Sequence, residues 1–185
     1  MAITKINSNA ILDGTIATAD IADSAISTVK IASGAVTSAK TTGVGGANTP
    51  SFFATKGGNQ NMSQSTMTKI QIGSEVYDTA NCYDTSSYRF TPNVAGKYFV
   101  FLQCRLSWNS GNGHTGQVHI FRNGSDRFAS RIDVNSNWYG CLVSCGVVDM
   151  NGSSDYVEPF AFYNASLPMV TGGTDTHFGA YKIIE

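Results

Sequence analysis

The sequence predicts an all-β protein in which a thin repeat stalk precedes an antiparallel sandwich or barrel. Three observations carry this expectation. An apolar residue recurs every five positions from Ile11 to Val36, a spacing that suits neither helix nor strand. Beyond Ser51, short strand-like runs alternate with turn signals, and no stretch carries the apolar stripe of an amphipathic helix. All ten Phe, all eight Tyr and both Trp of the 185 residues fall in this second part, so the core belongs there.

The repeat reads "SNAILDGTIA / TADIADSAIS / TVKIASGAVT / SAKTT" when written in tens. Its anchors are Ile11, Ile16, Ile21, Ile26, Ile31 and Val36. On a helix, five residues end about 140° from the starting face. On a strand, an odd step flips each anchor to the other side. The period therefore requires a bend in nearly every unit, and Gly, Ser, Asp and Thr supply bends. Two architectures meet this requirement, a single-chain solenoid with five-residue sides or a stalk in which several chains share the isoleucines. Seven units make fewer than two solenoid coils, and a solenoid that short lacks neighbours to bury its core. The stalk is the expected form. A disordered leader is the bland alternative, and regular β-branched anchors argue against it. Residues 1–42 are assigned to the N-terminus and repeat stalk, 43–50 to a Gly-rich linker ending at Pro50, and 51–185 to a knob.

Within the knob, "FFAT" opens the first strand and "TKIQIG" places Ile70 and Ile72 on one face. "YRFTPNVAG" turns into "KYFVFLQCRLSW", and "GQVHIFRNGSDRF" holds an Asn123-Gly124 hairpin signal. A second Asn-Gly, Asn151-Gly152, interrupts the next run, and "THFGAYKII" closes the chain. In the long strand, Tyr98, Val100, Leu102, Cys104, Leu106 and Trp108 share a face. Phe99 and Phe101 lie on the other, where an ordinary sandwich strand is polar. Covering each such Phe is worth about 1.5–3 kcal/mol. Phe121, Phe160 and Phe162 show the same two-sided character. Self-association is the expected cover for these five, and a loop folding over them is the alternative.

The order of these elements resembles the C1q/tumour-necrosis-factor-like jelly roll. "YRFTPNVAGKYFVF" is similar to its signature, with "FFAT", "IFRNGS", "CLVSCGVVDMNGSSDYVEPF" and "THFGAYKII" following its strands in order. The sequence departs from it where the family often has Gly-Asp and this chain has Ser153-Ser154-Asp155. The resemblance implies a homotrimeric, ligand-binding head. The text "ADIADSAIS" and "KIASGAVTSAK" also resembles repeats in the fibre proteins of tailed bacteriophages. Together these imply a non-enzymatic structural virion protein, a short trimeric tail fibre whose knob binds a host surface glycan or protein. Its N-terminus would meet other virion proteins, and assembly would occur in the host cytoplasm. The alternative is a capsid fibre or decoration protein of the same build. A cellular C1q-like adhesin would call for an export signal, and a polysaccharide depolymerase for an acidic pair in a groove.

Composition narrows the partners. A net charge of −1 and a pI near 6.3 give no basic field for nucleic acid, and no apolar run reaches the length of a membrane span. Cys82, Cys104, Cys141 and Cys145 lack metal-ligand spacing with His114, His119 or His177, so free thiols and no metal or cofactor are expected. "DMNGSSD" could loosely cradle calcium, but a solvated turn is the simpler reading. Trp108, His114, Trp138 and Tyr139 sit beside Gly- and Asn-rich turns and are the candidate receptor contacts. Both Trp could equally belong to the core.

Overall fold

The computed structural model describes residues 16–36, 48–108, 113–134, 138–164 and 168–183. The chain divides into two compact units, Met1–Gly45 and Gly46–Glu185. No described helix is long and apolar enough to cross a membrane. In the first unit, the described backbone contains short 3-10 turns at Thr18–Asp20 and Thr28–Lys30. Ile11 lies outside the described residues.

The second unit is an antiparallel two-sheet sandwich. One sheet holds β1 (Ser51–Lys56), β2 (Gln60–Asn61), β4 (Ser74–Asp78), β7 (Ala95–Trp108), β10 (Trp138–Asn151), β12 (Met169–Val170) and β13 (Gly173–Lys182). The other holds β3 (Thr68–Lys69), β5 (Tyr83–Asp84), β6 (Arg89–Phe90), β8 (His114–Arg122), β9 (Ser125–Val134) and β11 (Val157–Tyr163). β7 is the spine of the first sheet. One edge pairs with β10 from Trp138↔Trp108 to Asn151↔Ala95, and the other with β13 and β12. β8 fills the same role in the second, between β9 and β11.

Strand parity builds the core. Tyr98, Val100, Leu102, Cys104 and Leu106 of β7 are buried, and they meet Val118, Ile120, Val157 and Ala161 in one hydrophobic cluster. Phe52 stacks on Tyr83 and Phe90 at centroid distances of 4.3 and 4.6 Å, with Phe178 edge-on at 5.2 Å. Ile70 and Ile72 are both fully buried. Only Thr68–Lys69 of that run pairs as strand, because Ile72 N–H bonds back to Ile70 O within the run.

The two Asn-Gly pairs behave differently. Asn123 and Gly124, at φ 51 and 78, form the expected two-residue hairpin between β8 and β9. Asn151-Gly152 does not close a hairpin. β10 pairs with β7, whereas β11 pairs with β3, β6 and β8, so this turn carries the chain from one sheet to the other. The Asn151 Oδ1 accepts N–H groups from Ser153, Ser154 and Asp155 at 3.0, 2.9 and 3.0 Å, which curls the backbone away from β10.

Asp155 closes that corner. Its carboxylate accepts from Arg122 Nη2 at 2.9 Å, Asn123 Nδ2 at 2.7 Å and Asn151 N–H at 2.8 Å. Donors surround the group that a calcium ion would need, so the segment is a hydrogen-bonded turn. Among the described residues, no cluster of three or more His, Cys, Asp or Glu side chains is placed to hold a metal. The Asn123 amide, then the Arg122 guanidinium, hold the Asp155 carboxyl below the usual carboxylate range. A depressed folded pKa contributes stability that is present above the unfolded value near 3.9 and lost as pH falls below it. Asp155→Asn is therefore expected to lower the melting temperature at pH 7, with the gap to the parent narrowing as the pH is taken from 4 towards 2. A gap that is constant across that range would exclude this role.

Candidate functional site

The outward residues of the larger sheet form an aromatic face. β7 contributes Phe99 and Phe101, β1 Phe53, β4 Tyr77, and β13 His177 and Tyr181. Register aligns them in transverse rows. Cys145, Phe101, Gly179, Phe53 and Tyr77 make one row; Val147, Phe99 and Tyr181 make the next, nearer the start of β7. On the other side, Val143, Gln103, His177 and Thr55 align. Ring centroids lie 5.3 Å apart for Phe53 and His177, 5.5 Å for Phe99 and Tyr181, 6.1 Å for Phe99 and Phe101, and 6.2 Å for Phe53 and Phe101.

Gly179 lets this face lie flat. A Cβ there would come within 2.4 Å of the Phe101 ring, so that ring rests over bare backbone and cannot tilt inward without a clash. His177 Nδ1 donates to the Thr174 carbonyl at 3.0 Å, which fixes the ring among its aromatic neighbours. At the far end of the face, Arg105 pairs with Asp175 at 2.6 Å. Beyond the Gln103, His177 and Thr55 row, towards the start of β7, the surface is formed mainly by aromatic and aliphatic side chains. Val143, Val147, Tyr77 and Tyr181 are exposed by 51%, 44%, 47% and 37%, and no described strand or turn covers them.

The five phenylalanines expected at an interface are split by the fold. Phe99 and Phe101 lie on this face. Phe121, Phe160 and Phe162 lie on the outer face of the smaller sheet, where Phe121 and Phe160 stack at 4.3 Å. That second face satisfies its own groups. Glu158, 3% exposed, receives Lys69 Nζ at 2.5 Å and Arg89 Nη2 at 2.9 Å. Arg89 in turn lies 3.7 Å over the Tyr156 ring, and Lys69 lies 5.7 Å from the Phe160 centroid. His119 sits between Asp126 and Gln117.

The four candidate contact residues come to one end of the sandwich. Trp138 is register-paired with Trp108, and Tyr139 with Ser107. Met169 also pairs with Ser107. His114, at the start of β8, is paired with Val134, and its ring is 6.1 Å from that of Tyr163. The side chains of Trp108, Trp138 and Tyr139 lie outside the described residues. Nearby, Asn164 and Thr115 exchange bonds, Thr115 N–H to Asn164 Oδ1 at 2.7 Å and Asn164 N–H to Thr115 O at 3.3 Å. Arg131 reaches Asp133 at 3.0 Å. The opposite end holds the first residue of β1, Ser51, register-paired with Tyr181 near the end of β13. Chain entry and the candidate contact residues are therefore at opposite ends of this unit.

Alternation along the long strand marks Phe99 and Phe101 but not Phe53, Tyr77, His177 or Tyr181. The signal was present in "FF", where parity makes one ring inward and its neighbour outward, and in the alternation of "HFGAYK".

No protein-family model matches the chain, and no curated protein matches it. Solved structures do. Murine APRIL aligns with a TM-score of 0.55 at 16% identity, covering 72% of this chain and 98% of its own. The globular domain of zebrafish complement 1qA protein aligns at 0.56 and 12%, covering 72% and 97%. Eiger TNF from S. frugiperda aligns at 0.54 and 9%, covering 72% and 91%. The sandwich of this chain is a TNF/C1q-like antiparallel jelly roll.

Proposed function

We propose that this protein is a non-enzymatic structural component of a bacteriophage particle. It is a short homotrimeric tail fibre whose jelly-roll knob binds the host cell surface. The observation that carries the assembly is the uncovered aromatic face of the larger sheet. Six rings and two valines on one flat surface are stabilised by burial against a like surface, and an aromatic-rich, charge-poor patch is the composition of an interface core. Three copies is the number that the C1q/TNF resemblance implies. The phage setting rests on the fibre-like repeat. Chain entry at one end of the knob supports a head presented on a shaft, with Trp108, His114, Trp138 and Tyr139 towards the other end, where host contact would be made.

Three measurements test the reading. Sedimentation equilibrium of the full chain is expected to give three times the chain mass. Brief alkylation of the same sample is expected to spare Cys145, which shares a row with Phe101, until the assembly is dissociated. A monomer with a reactive Cys145 would sink the assembly. Immunogold microscopy with antibody against the knob is expected to label tails. Gold over the head would move the protein to capsid decoration, and gold absent from particles would overturn the virion role.

A further inference from the structure

Between Ile16 and Val36 the backbone turns with a single period. Hydrogen bonds from Asp20 N to Ala17 O, Ala25 N to Ala22 O, Lys30 N to Ser27 O and Ala35 N to Ala32 O, at 2.9–3.0 Å, close four-residue turns every five residues. The residue left between consecutive turns is the apolar anchor: Ile21, Ile26 or Ile31. The turns alternate in kind. Thr18–Asp20 and Thr28–Lys30 are 3-10 turns. In the other two, the third residue has a positive φ, 65 at Ser24 and 77 at Gly34, as a type II turn requires. A five-residue spacing of anchors is thus a ten-residue repeat of backbone, which accounts for the period of ten in the text.

The bends bring three successive anchors to one side. Ile16, Ile21 and Ile26 line a common groove of about 400 Å³ together with Ala17, Ala22, Asp23, Ser24 and Ala25. Nearby charges are turned back onto their own chain. The Asp20 carboxylate accepts Ala17 N–H at 2.9 Å, and Lys30 Nζ donates to Ala25 O at 3.0 Å. Yet Ile16, Ile21, Ile26, Ile31 and Val36 remain 40–55% exposed.

We infer that the groove is filled by the same segment of further copies of this chain, so that the repeats bundle through their isoleucine faces in a register set by tens. The inference rests on the self-association proposed above. A partner for this face must offer apolar side chains at five-residue intervals with alternating turns between them, and the segment itself does so. A shift of five would set a 3-10 turn against a type II turn, whereas a shift of zero or ten sets like against like. Tethering supplies the encounter. Residues 37–50 span at most about 50 Å when extended, so knobs held together keep the repeats at about millimolar effective concentration. The one charged residue lining the groove is the acidic Asp23, which would repel a nucleic acid or an anionic surface.

The test uses the full chain with Cys141→Ser and Cys145→Ser and one spin label at Val29→Cys. Val29 is 90% exposed, and Cys82 and Cys104 are buried away from reagent. Electron–electron distance measurement is expected to give one narrow inter-chain distribution. Ile21→Asn with Ile26→Asn is expected to abolish it while the sedimenting mass stays multimeric. A multimer with a broad distribution, or a narrow one that survives the double substitution, overturns the bundling and leaves knob association standing. A monomer without dipolar signal overturns both.

Discussion

The Phe99→Ser/Phe101→Ser variant is expected to sediment as a folded monomer under conditions in which the parent chain is an assembly. Both rings point away from the core, since the buried parity of β7 runs through Tyr98, Val100 and Leu102. They sit centrally in the aromatic face, 6.1 Å from each other and within 6.2 Å of Phe53 or Tyr181. Aromatic anchors at the centre of an interface typically contribute 2 kcal/mol or more each, so association is expected to weaken by about a thousandfold or more. The fold loses less. Each ring is half-covered within one chain, chiefly by neighbours on the same face and, for Phe101, by the bare backbone of Gly179. Far-UV circular dichroism is expected to keep its all-β shape. The matched control is Phe121→Ser/Phe160→Ser on the opposite face. Should that variant dissociate while Phe99→Ser/Phe101→Ser remains assembled, the interface belongs to the smaller sheet.

That control matters because the sequence presents the five phenylalanines alike, and only sheet order separates them. Parity within a strand is local, fixed by the two-residue alternation, and it was legible in "KYFVFLQCRLSW" down to the residue. Which strand lies beside which depends on crossovers that no short motif encodes. The Asn151-Gly152 pair illustrates the limit. Its dipeptide matches a hairpin signal, but the Asn151 side chain captures three successive N–H groups and sends the chain to the other sheet. Once β10 is bound to β7 and β11 to β8, Phe101 and Phe160 must emerge on opposite sides of the molecule. The repeat shows the converse. Its five-residue spacing demanded bends, and four turns stand at that spacing. Their alternation was not legible in the spacing of the isoleucines. It follows from the single residues Ser24 and Gly34, which take positive φ, where the alternate turns are 3-10.

Phe52→Ala is expected to bring the knob near unfolding, whereas Phe53→Ala, one residue on, is expected to weaken assembly and spare the fold. Phe52 is fully buried and joins both sheets. It stacks on Tyr83 and Phe90 of the smaller sheet and meets the edge of Phe178 on β13. Tyr83 cannot readily move to fill the void, because its hydroxyl donates to Ile72 O at 2.6 Å and burial raises its pKa, holding it neutral. A large cavity without collapse places the loss at about 3–5 kcal/mol, a substantial part of the roughly 5–15 kcal/mol of an ordinary domain. For a unit of this size that is a fall in melting temperature of about 10–20 °C. Phe53 makes its ring contacts with Tyr77, Phe101 and His177 on the outer face. Its truncation opens no enclosed cavity, so a shift of only a few degrees is expected for the dissociated chain. The pair is read by melting both variants at a concentration where the parent is assembled and again where it is dissociated. If Phe53→Ala melts as low as Phe52→Ala in the dissociated chain, the outer ring supports the fold and the aromatic face is not primarily an interface. If the Phe53→Ala deficit appears only in the assembled sample, pleat parity alone has separated the residue that makes the knob from the residue that joins one knob to another.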